Sequence, residues 1–127
     1  MIEMNSDELK KRTNDFAHRC VKLATALPDT PLGRHIKGQL IRCSTSVASN
    51  YRAACLAQSK TDFAFKVSIV AEEADESTFW LDFIICEKLL QAKQVISLLH
   101  EAEELAKIFI KSRRTVKDRS HEFAARQ

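Results

Sequence analysis

The sequence contains few of the residues that usually break or turn a chain. Its 127 residues include two Gly and two Pro, and Pro28 and Pro31 lie in one short segment together with Gly33. Turns between many short strands need such residues, so their scarcity favours a few long helices. A chain of this length fits one domain with a single core.

Segments that would direct the chain into a membrane are also missing. No apolar run approaches the roughly 20 residues needed to span a bilayer, and residues 1–7 lack the basic start and apolar stretch of a signal peptide. Cys20, Cys43, Cys55 and Cys86 form no Cys-x-x-Cys pair. We therefore expect a cytoplasmic protein with no membrane partner and with buried, reduced thiols instead of disulfides or a metal site.

Sequence signatures of catalysis are lacking as well. No Glu precedes a His by three residues, the spacing with which four-helix bundles hold di-iron sites. The sequence has no glycine-rich phosphate loop and no Gly-x-Ser-x-Gly nucleophile elbow. We expect no catalytic residue, no cofactor, no bound metal and no small-molecule substrate, and hence a protein that is not an enzyme.

What the sequence does contain is four stripes of apolar residues at alternating steps of three and four. Such steps line one face of a helix, and their mean of about 3.5 residues is typical of helices that cross at a shallow angle in bundles. The stripes predict helices at 7–27, 31–57, 60–90 and 95–118. Since short connections make neighbouring helices antiparallel, we expect an all-α, up-down-up-down four-helix bundle over residues 1–118, followed by a basic, flexible tail over 119–127.

Three residue pairs have the types and spacing of helix N-terminal caps: Asn5 with Glu8, Thr30 with Pro31, and Ser59 with Asp62. They support the starts of the first three helices. No strong breaker separates the third helix from the fourth, so the turn expected near 91–94 depends on the stripes alone.

The third predicted helix carries a second set of residues at helical spacing: Phe65, Ile69, Glu72, Glu76, Phe79, Phe83 and Cys86, with Trp80 beside it. A helix that is apolar on two faces has to bury both. The second set can widen the core face of a monomer, or it can pack on another subunit. We favour the second interpretation, which predicts an oligomer interface formed by Phe79, Trp80 and Phe83.

The second and third predicted helices have complementary charges. Residues 32–59 include four basic residues and no acidic residue, whereas residues 60–90 include three basic and seven acidic residues. A turn near residue 58 places Arg42 beside Asp75 and Glu76, and a run of hydroxyl side chains beside Glu72. We therefore expect a structural, not a catalytic, network of ion pairs and hydroxyl contacts formed by Arg42, Ser44, Ser46, Glu72, Asp75 and Glu76.

Positive charge is concentrated at the C-terminal end. Residues 107–127 include seven basic and two acidic residues, although the net charge of the whole chain is only +3. Such a cluster can neutralise phosphates, or it can be an ordinary solvated helix end, where cations favour the helix dipole. The candidate nucleic-acid-binding residues are Lys111, Arg113, Arg114, Lys117 and Arg119.

Five segments in the middle and last part of the chain form a recognisable series: Gln39–Ala54 (QLIRCSTSVASNYRAA), Lys60–Phe63, Glu72–Glu76, Trp80–Leu81 and Glu101–Leu105. In this order they resemble the signature of a bacterial four-helix-bundle family first noticed as proteins encoded in 23S rRNA intervening sequences. Ala53 and Ala54 stand where family members more often have an acidic residue and a small one, which weakens any argument that an acidic residue is indispensable at that point.

The resemblance implies a bundle that assembles into a ring-like homopentamer. It also implies a distant similarity to the accessory variability protein of diversity-generating retroelements, a pentameric basic scaffold for reverse transcriptase and nucleic acid. It implies no catalytic residue. Together with the charge distribution, it predicts a non-enzymatic oligomeric scaffold whose candidate partner is RNA or an assembly of RNA and protein. The alternative is a purely structural or protein-interaction module with no nucleic-acid role.

Overall fold

The four amphipathic segments form four α-helices in the part of the chain that the computed structural model describes, namely the backbone of residues 4–126 and the side chains of residues 4–115. The helices are α1 Ser6–Thr25, α2 Pro31–Cys55, α3 Lys60–Cys86 and α4 Ala92–Arg126. None of these described helices is both long enough and apolar enough to cross a membrane. Each helix packs on the next, and α4 packs back on α1. The prediction of an all-α, up-down-up-down four-helix bundle is confirmed.

Side-chain caps fix the starts of α1 and α3. Asn5 and Glu8 form a complete capping box, in which the N–H of Glu8 donates to Oδ1 of Asn5 over 2.9 Å. The N–H of Asp62 donates to Oγ of Ser59 over 3.0 Å. Each bond satisfies a backbone donor that has no partner within its own helix. Both caps join residues that the sequence analysis identified as cap pairs.

Gly33 allows the sharp reversal between α1 and α2. It is buried in the first turn of α2, where its N–H donates to the hydroxyl of the capping residue Thr30 over 3.0 Å. A Cβ atom at Gly33 would overlap the carbonyl oxygen of Pro28. Gly38, one turn further along α2, has nothing within 4 Å of an added Cβ atom. Packing therefore requires a glycine at Gly33 but not at Gly38.

The connection from α3 to α4 is made without glycine. Lys88 has a φ angle of 54°, in the left-handed region that side chains disfavour. Its N–H donates to the carbonyl of Ile85, and the N–H of Leu89 donates to the carbonyl of Ile84, each over 3.0 Å. These two bonds are those of a Schellman motif, which satisfies the last carbonyls of a helix.

The helix ends differ from the bounds that the periodicity predicts. The helices α1, α2 and α3 end two to four residues earlier, at Thr25, Cys55 and Cys86. The helix α4 starts three residues earlier than predicted and continues to Arg126. The segment 119–127, predicted as a separate tail, is therefore helical as far as that residue. The apolar stripe stops before this segment, and a helix without a stripe gives no periodic signal.

The core is built from the four predicted stripes. Each stripe supplies a large side chain with no exposed surface: Phe16 from α1, Leu40 from α2, Val70 from α3 and Leu105 from α4. Tyr51 of α2 packs on Phe109 of α4 with 5.2 Å between the ring centroids, which links two diagonal helices across the core. Among the described residues, four members of the predicted stripes are only half-buried, namely Leu23 of α1, Asn50 of α2, Phe63 of α3 and Ser112 of α4.

Candidate interaction surfaces

An ion-pair cluster joins α2 to α3 at the surface. Arg42 on α2 pairs with Glu73, with 3.1 Å between Nη1 and Oε2, and also with Glu76. Oε2 of Glu76 additionally accepts a hydrogen bond from Nε1 of Trp80 over 3.4 Å. Because 48% of the Arg42 side chain and 37% of the Glu76 side chain are exposed, solvent weakens this cluster. The structure thus brings together two of the predicted network residues.

Glu72 and Asp75 do not take part in this cluster. Both are exposed, and Glu73 takes the place beside Arg42 that the sequence-based register gives to Asp75. A helix turns by about 100° per residue, so an error of one residue in the register moves a side chain to another face. Glu73 and Glu76, three residues apart, share the face that meets Arg42.

The predicted hydroxyl members of the network, Ser44 and Ser46, form their hydrogen bonds within α2. The buried Ser44 hydroxyl donates to the backbone carbonyl three residues earlier over 3.4 Å. Oγ of Ser46 accepts from the Asn50 amide over 2.7 Å. The hydroxyl that does link the two helices belongs to Ser77 of α3, which donates to Sγ of Cys43 over 3.2 Å. The expected contacts of Ser44 and Ser46 with carboxylates are therefore wrong.

A second ion-pair cluster, which the sequence analysis missed, joins α1 to α4. Arg12 donates to both carboxylate oxygens of Glu101, over 2.9 Å and 2.7 Å, and pairs with Glu104 over 2.8 Å. Only 21% of the Arg12 side chain and 17% of the Glu101 side chain are exposed. The hydrogen bonds to Glu101 raise the pKa of Arg12 further above its usual value, so the guanidinium remains charged. Contacts between α1 and α4 are otherwise sparser than between the other adjacent helices.

The thiols are distributed differently from the prediction. All four cysteines are free, and Cys20 and Cys43 are buried, whereas Cys55 is half-buried and Cys86 is exposed. Burial raises the pKa of the Cys20 and Cys43 thiols and keeps them protonated. The expectation of buried thiols is therefore wrong for Cys86. No group of three or more His, Cys, Asp or Glu side chains that could hold a metal occurs among the described residues.

Aromatic side chains cover part of the outer face of α3. Phe79, Trp80 and Phe83 contact one another with 4.9 to 6.1 Å between ring centroids, and His35 of α2 packs edge-on against Trp80 at 5.6 Å. We call these four side chains the aromatic patch. Phe79 is 54% exposed, and Phe65, further along the same stripe, is 64% exposed.

The aromatic patch lies only partly in the core of the chain. Trp80 and Phe83 are half-buried and pack against the core, as expected for a wide core face. Phe79 does not fit that interpretation, because more than half of its surface is exposed. The three predicted interface residues therefore lie together on one face, and at least one of them is open to a partner.

The predicted nucleic-acid-binding residues lie on the last turns of α4. Lys111 and Arg114 are exposed and Arg113 is half-buried, whereas the side chains of Lys117 and Arg119 lie outside the described residues. The helix α4 has 35 residues and its antiparallel neighbour α3 has 27. At about 1.5 Å per residue, α4 is about 12 Å longer, so its basic end extends past the start of α3.

Comparisons with known proteins agree with this architecture. A family model described as 23S rRNA-intervening sequence protein matches residues 6–111. Among solved structures, a protein of unknown function from the S23 ribosomal protein family of Bacteroides thetaiotaomicron VPI-5482 is similar, with a TM-score of 0.79 and 30% identity over 87% of this chain and 99% of that chain. No curated protein matches this chain. The family match ends at Lys111, so most of the basic cluster on α4 lies beyond it.

Proposed function

Because the chain belongs to the family of 23S rRNA-intervening sequence proteins, we propose that it is a non-enzymatic oligomeric scaffold that binds RNA, or an assembly of RNA and protein, through a basic surface. The family name describes where the genes of some members lie, and it is not itself a sign of binding to ribosomal RNA. The observation that carries the proposal is the concentration of seven basic residues against two acidic ones in residues 107–127.

The charge of this cluster suggests how RNA is bound. Lys and Arg side chains bind the phosphate backbone chiefly by releasing condensed counterions, which requires no particular base sequence. The chain has neither the aromatic-and-basic motif of an RRM domain nor the glycine motif of a KH domain. RNA binding by this protein is therefore electrostatic, sensitive to salt and weakly selective for sequence.

Oligomerisation would strengthen this weak contact with RNA. A few phosphate contacts from one subunit bind poorly at physiological salt, but the same contacts repeated around a ring bind one RNA simultaneously and raise avidity. The aromatic patch supports an oligomer, because Phe79 exposes 54% of its surface. The resemblance to the family implies a homopentamer, with Phe79, Trp80 and Phe83 contributing to the subunit interface.

The test is a salt series of RNA binding by the variant Lys111→Ala/Arg113→Ala/Arg114→Ala. We expect the affinity for two unrelated RNAs to fall by similar factors. The slope of log K against log salt should also flatten by about two units, because each lost contact with a single strand contributes about 0.7. The matched control is Lys22→Ala/Lys37→Ala/Lys93→Ala, which removes the same charge from exposed positions at the other end of the bundle and should change the slope little. Salt-insensitive binding, or loss of one RNA only, would contradict the proposal.

The second candidate function is that of a structural or protein-interaction module. The aromatic patch favours it, because an exposed apolar surface is suited to a protein partner and not to phosphate. In that case the basic end of α4 serves solubility and the helix dipole. Failure of the wild-type protein to bind any RNA or DNA at low salt would support this function over the first.

A further inference from the structure

A shallow cleft between α1 and α2 contains basic residues that the sequence analysis did not connect. It has a volume of about 470 Å³ and is lined by Lys10, Lys11 and Asn14 of α1 and by Ala48 and Arg52 of α2. We propose that this cleft is a second binding site for the phosphodiester backbone of RNA. The inference rests on the proposed function and adds a site outside the basic end of α4.

The lining of the cleft has the chemistry that a phosphate group requires. Lys10, Lys11 and Arg52 supply positive charge and several N–H donors, and the Asn14 amide adds two more donors. The small side chain of Ala48 lies among them and leaves room for a phosphate to approach. The helix α2 carries no carboxylate at all, so no acidic side chain of that helix repels an anion.

Two carboxylates of α1 compete for the lysines, but only weakly. Nζ of Lys10 lies 3.3 Å from Asp7, and Nζ of Lys11 lies 2.6 Å from Asp15. The carboxylate side chains of these pairs are 90% and 55% exposed, and exposed ion pairs contribute little stability. A phosphate that contacts both lysines and Arg52 together therefore competes well with either carboxylate.

The cleft lies toward the same end of the bundle as the basic turns of α4. Arg12, next in sequence to the cleft lysines, pairs with Glu104, and Tyr51, next to the cleft arginine, packs on Phe109. The basic cluster of α4 begins only two residues after Phe109, at Lys111. One RNA strand can therefore contact both surfaces without crossing α3, which carries six acidic and two basic residues.

A second copy of this chain is the other candidate occupant, since Glu72 and Asp75 of α3 are acidic and exposed. Stable protein interfaces, however, have a core of aromatic or aliphatic anchors surrounded by a polar rim. The cleft has no large apolar side chain in its lining. Its chemistry thus favours a nucleic-acid backbone over a protein surface.

The test uses the full chain and a fluorescently labelled single-stranded oligouridylate, with affinity measured by anisotropy at several salt concentrations. We expect Lys11→Ala/Arg52→Ala to weaken binding about tenfold at low salt and to flatten the salt slope by about 1.4, the value for two phosphate contacts to a single strand. The control Lys22→Ala/Lys37→Ala removes the same charge from the other end of α1 and α2 and should leave both quantities unchanged. Asp15→Asn, which frees Lys11, should tighten binding two- to threefold.

The outcomes separate this inference from the proposed function. If the α4 variant loses affinity while Lys11→Ala/Arg52→Ala and Asp15→Asn bind as wild type, the cleft is not a binding site although the proposed function stands. If the cleft variant binds RNA normally but its oligomeric mass falls, the cleft contacts a second copy and the inference is overturned. If the wild-type protein does not bind the oligouridylate at low salt, both proposals fail. Circular dichroism of each variant checks that the helices are intact, and Asp15→Asn provides the test should the double variant unfold.

Discussion

At the scale of single residues, two arginines form similar ion pairs in different surroundings. Arg12 joins α1 to α4 with 21% of its side chain exposed, and Arg42 joins α2 to α3 with 48% exposed. Each contacts two carboxylates. Removing one partner of a shielded pair leaves the other charge without compensation. When one partner of an exposed pair is removed, water solvates the charge that remains. Burial, and not the number of partners, should therefore decide the energetic difference.

We predict that Arg12→Ala lowers the free energy of unfolding by about 2–3 kcal/mol, between the values typical of exposed and fully buried pairs. Arg42→Ala should lower it by about 1 kcal/mol or less, and so should Glu76→Ala, because that carboxylate is 37% exposed. Urea unfolding followed by circular dichroism, at a concentration low enough to keep subunits apart, measures all three. If Arg42→Ala lowers the free energy of unfolding as much as Arg12→Ala does, the exposure of Arg42 in the single chain does not describe the surroundings of that side chain.

The two clusters also show what sequence can reveal about side-chain contacts. The pair of Arg42 with Glu76 follows from the short turn between α2 and α3, which fixes an approximate register. The same estimate selects Asp75 in place of Glu73, because consecutive residues of a helix are rotated by about 100° and Asp75 does not share the face of Glu73 and Glu76. Arg12 and Glu101 are 89 positions apart, and their contact depends on how α4 closes the bundle, which no local pattern encodes.

At the scale of elements, the sequence predicts the existence of helices better than their ends. The stripes that predict α1 to α4 are local properties of the chain, and most of their members are in fact buried. The starts of α1, α2 and α3 were readable from the cap residues Asn5, Thr30 and Ser59. The end of α3 was not, because Lys88 occupies a left-handed position at which glycine is the usual signal.

This position yields a prediction about the turn between α3 and α4. We expect Lys88→Gly to raise the free energy of unfolding by up to about 1 kcal/mol, since glycine has no Cβ atom to oppose a positive φ angle. The control Lys37→Gly, at an exposed position inside α2, should lower it by about 1 kcal/mol, the usual cost of glycine in a helix. Thermal and urea unfolding measure both variants. A loss of stability for Lys88→Gly equal to that of the control would argue against the left-handed turn.

At the scale of the whole molecule, charge and apolar surface are separated. The helix α3 carries six acidic residues and most of the aromatic patch, whereas α2 carries four basic residues and no acidic one. The basic end of α4 is visible in the sequence because its basic residues lie close together along the chain. The cleft of Lys11 and Arg52 is not, because its cations come from two helices and meet only after folding. The sequence alone therefore does not reveal surfaces that are assembled from distant segments.

The arrangement of the aromatic patch on one face leads to the last prediction, which concerns assembly. Light scattering coupled to size-exclusion chromatography should give a mass of about five times 14.4 kDa for the wild-type chain. Phe79→Gln should shift this mass toward that of a single chain at micromolar concentration. Burying a phenylalanine contributes about 1.5–3 kcal/mol at each interface, and a closed ring loses that contribution at every subunit contact.

The matched control is Leu56→Gln, because Leu56 is 76% exposed but lies outside the aromatic patch, in the turn between α2 and α3. It removes a comparable apolar side chain and should leave the mass unchanged. A wild-type chain that remains monomeric at tens of micromolar would contradict the prediction. Trp80 and Phe83 would then serve the bundle's own core, against which they already pack. Without repeated subunits, the basic end of α4 would also lose the avidity on which its proposed binding of RNA depends.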